Sequence, residues 1–185
     1  ATFPPPLLEL ARGYTTDPAE IATASGVSTV KTIAQRSISV DEDEKANLLG
    51  RLIERSSDED VFLVFCDRRT DVDRLLRRME RRRFSVKALH GGYDQAARFR
   101  VMSAFRQKDV KALLATDVAA RGLDFTGVEW VVQADCPEDV ATYIHRTGRT
   151  ARYTAKGRAL LMLLPSEAPM VSLLQQARIP LRKLS

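Results

Sequence analysis

Arg146, Arg149 and Arg152 stand three residues apart in YIHRTGRTARY (143–153), around Gly148 and behind His145. A guanidinium carries a permanent charge on a planar fork of donors, which suits it to gripping phosphate oxygens. Three other stretches place small or polar residues close together. They are His90-Gly91-Gly92-Tyr93-Asp94-Gln95 with Arg98, Ala115-Thr116-Asp117, and Arg121-Gly122-Leu123-Asp124. Clustered polar groups of this kind are the expected layout of a site. Each stretch also has a plainer reading. The arginines could be a solvated basic surface, Gly91-Gly92 a tight turn, and Thr116-Asp117 the cap of a short helix. Asp124 could be a loop carboxylate, and Gln95 with Arg98 ordinary helix surface.

The elements around these residues decide how they are placed. VFLVFC (61–66) is a continuous apolar run, as expected of a buried strand. SVKALH, VKALLAT, VEWVVQAD and GRALLMLL also read as strands, and IAQRSISV opens the β-type pattern. Between them lie helical patterns. TDVDRLLRRMERRRF has Thr70 as its expected N-cap, and DQAARFRVMSAFRQ has Ala97, Val101, Ala104 and Phe105 on its expected inner face. PEDVATYIHR opens at Pro137, and SEAPMVSLLQQAR tolerates Pro169 near its start. Strands alternating with helices predict an α/β fold, an open and mostly parallel sheet with helices on both faces. Such sheets bind ligands beyond the C-terminal ends of their strands, where the polar stretches fall. RRMERRRF reads better as a solvated helix face than as a nucleic-acid patch. Residues 1–26, with Pro4-Pro5-Pro6, a short helical pattern and then the polar TASGVSTV, differ in character from the rest of the chain.

The 185 residues suffice for one well-buried domain, and the net charge of +5 favours an anionic partner, nucleic acid before membrane. No apolar run approaches the roughly 20 residues a bilayer demands, and no signal peptide is visible. Cys66 and Cys136 stand alone, which predicts reduced thiols in an intracellular protein, nuclear, nucleolar or cytoplasmic. With two His there is little scope for a metal site, and none is expected here. The chain has no GxxxxGK[ST] and no GxGxxG, so it lacks a Gly-rich loop to cradle a triphosphate. Arginines without a cradle fit a half-site that supplies charge across an interface to a nucleotide held elsewhere.

LVFCDRR, HGGYDQAAR, LLATDVAARGLD and YIHRTGRTAR resemble, in order and spacing, motifs in the second, C-terminal RecA-like domain of DEAD-box RNA helicases. The resemblance covers roughly residues 27 to 180. ATFPPPLLELARGYTTDP resembles the tail of the preceding RecA-like domain, so residues 1–26 are expected to be that tail plus linker, and 27–185 the C-terminal helicase domain. HRTGRTARY with LLPSE is similar to the ribosome-biogenesis members. Two departures stand out: Ala151 where a second Gly is usual, and Gly92 where His-Gly is usually followed by Asp.

The resemblance implies a RecA-like sheet and an RNA-stimulated ATPase, inactive as this isolated domain. ATP and Mg²⁺ would be bound mainly by an N-terminal RecA-like domain outside this chain. Arg149 and Arg152 would be the catalytic arginine fingers, with Gly148 allowing a tight turn. Asp124 would meet the ribose hydroxyls, with Arg121 and Gly122 in the same loop, and His145 and Arg146 would couple the cleft to the opposing domain. Gly91, Gln95, Arg98 and Thr116, with Asp117 beside it, would hold the RNA backbone without sequence preference. No base-stacking platform follows from the sequence, and Tyr93 and Tyr153 are no more than candidates for one. The implied partners are RNA, the N-terminal domain of the same protein and a possible protein cofactor. No membrane is implied, and the chain is expected to be a monomer. The rival readings are a catalytically silent RecA-like module that binds RNA or protein, and half of a DNA helicase.

Overall fold

Among the described residues, seven strands form one sheet, and every pairing is parallel. The computed structural model describes residues 5–14, 32–125, 127–151 and 156–184. In chain order the elements are α1 (Pro5–Tyr14), β1 (Ile33–Ser39), α2 (Lys45–Glu54), β2 (Phe62–Phe65) and α3 (Arg69–Arg81). They continue with β3 (Val86–Leu89), α4 (Gln95–Arg106), β4 (Ala112–Ala115), α5 (Asp117–Ala120) and β5 (Trp130–Gln133). The last are α6 (Val140–Thr147), β6 (Gly157–Leu163), α7 (Pro169–Gln176) and β7 (Leu181–Lys183). The strands lie in the order β3-β4-β2-β5-β6-β1-β7.

Strand periodicity divides the core. Phe62 and Val64 of β2 face one side, where they join Ala46, Leu49 and Ile53 of α2 and Val72, Leu75 and Met79 of α3. Leu63 and Phe65 face the other side, with Met102 and Phe105 of α4 and Ala119 and Ala120 of α5. Farther along that second face, Leu161 and Leu163 of β6 pack with Tyr143 of α6 and with Met170 and Leu174 of α7. Both faces are therefore covered, and β2, β4 and β5 are nearly all apolar because neither side meets water. This is the RecA-like α/β sheet expected from the sequence.

Several boundaries differ from expectation. Helix α3 begins at Arg69 with Arg68 as N-cap, so Thr70 lies inside the first turn and caps nothing. Helix α6 begins at Val140 rather than at Pro137. The carboxylate of Asp139 accepts from the Thr142 backbone N–H at 2.7 Å, and that bond fixes the start. On α4 the inward stripe is Met102 and Phe105, with Ala97, Val101 and Ala104 only half-buried. Two elements go beyond the sequence expectation. Helix α2 buries Ala46, Leu49, Gly50 and Ile53, a spacing of three, one and three. Strand β7 is three residues of an edge, paired with Gln35–Ser37 of β1. No described helix is long and apolar enough to cross a membrane.

Candidate functional site

Strands β4, β2 and β5 lie side by side, and their C-terminal ends supply Thr116-Asp117, Asp67 and Asp135. The chain crosses the sheet here, since β3 and β4 lie to one side of β2 and β5 to the other. Arg146, projecting from α6, ties the three ends together. Its Nε donates to Asp117 at 3.0 Å and its Nη2 at 2.6 Å, while Nη2 also reaches Asp67 at 2.8 Å and Nη1 the Asp135 carbonyl at 3.0 Å. The guanidinium lies 5.5 Å from the centre of the Phe65 ring, and the residue is 2% exposed. Burial opposes its charge, but the bonds and charges of Asp117 and Asp67 outweigh burial and raise its pKa.

The network runs on behind the sheet ends. Asp135 accepts from Lys45 Nζ at 2.8 Å and from the Asp67 backbone N–H at 3.0 Å, and Lys45 also pairs with Glu42 at 2.7 Å. Burial again works against the Lys45 charge, and Asp135 and Glu42 overcome it, leaving its pKa raised.

In front of this clamp lies an open cleft of about 760 Å³. Thr116, Asp117, Val118 and Arg121 form one wall, and His145, Arg146, Gly148 and Arg149 another. Half-buried Arg149 donates from Nη1 to the Leu123 carbonyl at 3.3 Å, which brings the end of α6 against the 121–124 loop. Gly122 in that loop has φ +72°, a left-handed conformation that glycine adopts without strain. Arg121, Gly122, Asp124 and His145 are exposed.

Helix α5 joins this cleft to a second rim. Thr116 starts the helix as its N-cap but makes no side-chain cap bond, so the plain capping reading does not account for its hydroxyl. Arg98 of α4 donates from Nη2 to the Ala119 carbonyl at 3.1 Å. The Thr116 N–H donates to the Leu89 carbonyl at 3.3 Å, holding the end of β4 beside the end of β3, after which come His90 and Gly91. Gly91 and Gln95 are exposed, Thr116 is buried and Arg98 half-buried. Gly91 and Gln95 thus stand after β3 and at the start of α4, while Arg98 reaches α5 and Thr116 begins it. Asp117 sits at the same strand end but turns its carboxylate to Arg146. Tyr93 packs edge-on against His90 at 4.7 Å.

The basic run on α3 has a different fate. Arg74 pairs with Glu42 and Asp71, Arg78 with Asp43, and Arg82 donates to Asn47 at 2.8 Å. These arginines tie α3 to the start of α2, in keeping with the helix-face reading of RRMERRRF. Among the described residues, no group of three or more His, Cys, Asp or Glu could hold a metal ion. Arg152 and Tyr153 lie outside the described residues.

The profile of the helicase conserved C-terminal domain matches residues 44–154, well over half of the chain. The chain belongs to this family. Its relatives place it among the DEAD-box RNA helicases. It is 45% identical over 159 residues to the human "Probable ATP-dependent RNA helicase DDX10", covering 85% of this chain and 18% of that protein. It is 37% identical over 168 residues to "DEAD-box ATP-dependent RNA helicase CshA" of Bacillus cereus, covering 91% of this chain and 32% of that one. The helicase domain therefore spans a third or less of these relatives' length. Among solved structures it resembles S. cerevisiae Dbp5 bound to RNA and ADP BeF3, with TM-score 0.86, 25% identity, and coverage of 99% of this chain and 49% of that one. It also resembles the E. coli DEAD-box protein SrmB bound to RraA, with TM-score 0.78, 28% identity, and coverage of 84% and 92%.

Where the helicase domain departs from its family's pattern, the backbone shows what changes. Gly148, the C-cap of α6, has an ordinary φ of −68°, so the turn there needs no left-handed backbone. A Cβ there would instead meet the Ile144 carbonyl oxygen at 3.2 Å. The left-handed residue is Ala151, with φ +56°, at the position where a second Gly is usual. Thr150 and Ala151 press on the start of β6, where a Cβ on Gly157 would come within 2.7 Å of Thr150. The Arg146 clamp on Asp67 and Asp135 has no signal in the sequence. Those carboxylates stand at the ends of separate strands, and only the sheet order makes them neighbours.

Proposed function

We propose that this domain is half of an ATP-dependent RNA helicase. Arg149, with Arg152 beyond it in sequence, stabilises charge on ATP held by an N-terminal RecA-like domain. ATP, with Mg²⁺, supplies the phosphoryl chemistry, and this chain contributes donors to it. Asp124 accepts from ribose hydroxyls, Arg121 and Gly122 shape that loop, and exposed His145 faces the opposing domain. Arg146 couples indirectly, by fixing Asp117 and the strand ends on which both rims stand. Gly91, Gln95, Arg98 and Thr116 hold the RNA backbone, so duplexes are separated locally rather than by reading sequence. Residues 1–26 belong to the preceding domain and linker. Leu10 and Tyr14 of α1, 57% and 86% exposed, suit a helix that packs elsewhere.

The observation that carries this reading is the bond from Arg149 to the Leu123 carbonyl, which brings a guanidinium to the cleft beside Asp124. The donor set fits a nucleotide edge, with two arginines and one carboxylate around a glycine that leaves the backbone accessible. In a protein uniting this chain with an N-terminal helicase domain, Arg149→Ala should lower kcat about 10³-fold and change ATP affinity far less. Arg149→Lys should recover only part of the loss, because a point charge cannot reproduce the fork. RNA-stimulated ATPase assays check both. An unchanged kcat would leave Arg149 part of a basic surface, and no RNA-stimulated turnover by the wild-type two-domain protein would make a silent RNA- or protein-binding module the better reading.

A further inference from the structure

We propose that His90 is a positioning residue for the RNA-backbone rim, holding the Gly91–Gly92 turn in shape through its Nδ1 atom. The inference rests on the proposed function of that rim. His90 directly follows β3 and is 8% exposed, so its ring is shielded from a ligand in solvent. The Gly92 backbone N–H donates to Nδ1 at 3.1 Å. Nδ1 must therefore be unprotonated, which puts the ring's hydrogen on Nε2. Nε2 lies 3.1 Å from an Asp73 carboxylate oxygen of α3, the acceptor that this tautomer needs.

The same residue closes the turn a second time, since its carbonyl accepts from the Tyr93 N–H at 3.2 Å. The Tyr93 ring then covers the imidazole edge-on. Ring and turn are fitted to each other. A Cβ at Gly92 would lie 3.0 Å from the ring, whereas a Cβ at Gly91 would meet nothing within 4 Å. One glycine is held against the ring and the other is presented to open space, where a sugar-phosphate backbone can approach. Asp73 fixes the tautomer, the tautomer fixes Gly92, and Gly92 fixes how Gly91 is offered.

The test uses two substitutions that divide the two ring nitrogens. The Asn side-chain oxygen falls near the place of Nδ1, and the longer Gln reaches toward that of Nε2. Binding of a labelled oligouridylate to the 185-residue chain at low salt is titrated by fluorescence anisotropy, alongside thermal unfolding. His90→Asn should keep the dissociation constant within about twofold of wild type. His90→Gln should raise it about three- to tenfold with little change in the unfolding midpoint, as expected for losing one positioning hydrogen bond. Asp73→Ala, on a half-exposed side chain, should weaken binding in the same direction while leaving the ring in place.

Arg98→Ala serves as the control for the rim. If it weakens binding but His90→Gln does not, the inference fails and the rim stands. If neither changes binding, or the wild type shows no titratable binding, the rim reading fails and the inference with it. If His90→Asn and His90→Gln lose affinity equally, the ring is only filling space and the inference is overturned.

Discussion

Arginines recur at regular spacing in two parts of this molecule, on α3 and at the end of α6, and their surroundings differ. Arg74, Arg78 and Arg82 lie one helical turn apart on the outside of α3. They meet acidic and amide side chains of residues 42–54 in water, with Arg74 and Arg78 side chains 47% and 37% exposed. Arg146 meets its carboxylates with its side chain 2% exposed, above three strand ends, and Arg149 lies at a cleft. The foundations differ as well: the Asp139 side chain caps α6, whereas Arg68, the N-cap of α3, makes no side-chain cap bond. An arginine-rich segment becomes a candidate site when its helix delivers it to the C-terminal ends of adjacent strands. On a helix's outer face it is a surface ladder, weakly stabilising at best.

The contrast between the two arginine sets is easiest to overturn at Arg146. Arg146→Ala removes the charge that compensates Asp117 and Asp67, and should cost about 3 kcal/mol in denaturant unfolding. That figure lies at the low end for a buried pair because both carboxylates keep some contact with water. Arg146→Lys should recover little, since one ammonium cannot span Asp117, Asp67 and the Asp135 carbonyl together. A loss below about 1 kcal/mol, the ceiling for exposed pairs, would mean the clamp is no stronger than the α3 ladder.

A smaller effect is expected at the foundation of α6. Asp139→Ala should lower stability by about 1 kcal/mol at neutral pH. The bond from the Thr142 N–H depresses the Asp139 pKa below its ordinary value of 3.8. Its contribution is therefore complete above that value and lost as pH falls through the depressed one. Unfolding curves of wild type and variant should converge in strong acid, and a constant gap would rule out the carboxylate cap. The smallest effect is expected on α3, where Arg78→Ala should change stability by less than about 0.5 kcal/mol and fade with salt.

Much of the fold was legible in the sequence. VFLVFC and VKALLAT are apolar throughout because their strands are buried on both faces, and the alternation with helices specified a parallel sheet. Helix α2 was not expected from the sequence, because acidic residues around it mask the spacing of Ala46, Leu49, Gly50 and Ile53. Strand β7 was not legible. Leu181–Lys183 is short and polar, and only pairing with β1 makes it a strand. Helix starts failed where two local signals competed, as at Pro137 and Asp139, and a 2.7 Å hydrogen bond decided.

For the candidate site, the sequence determined which residues are present and in which segments, because the motifs are contiguous and their chemistry is local. It named Arg146, Asp117 and His90 but could not say what they touch. Asp67, Asp117 and Asp135 are up to 68 positions apart, and Asp73 lies 17 positions before His90. Hydrogen bonds form over about 3 Å whatever the separation along the chain. The order of strands in the sheet therefore made Arg146 a buried clamp, left Arg149 at the cleft, and turned the His90 ring toward Gly92.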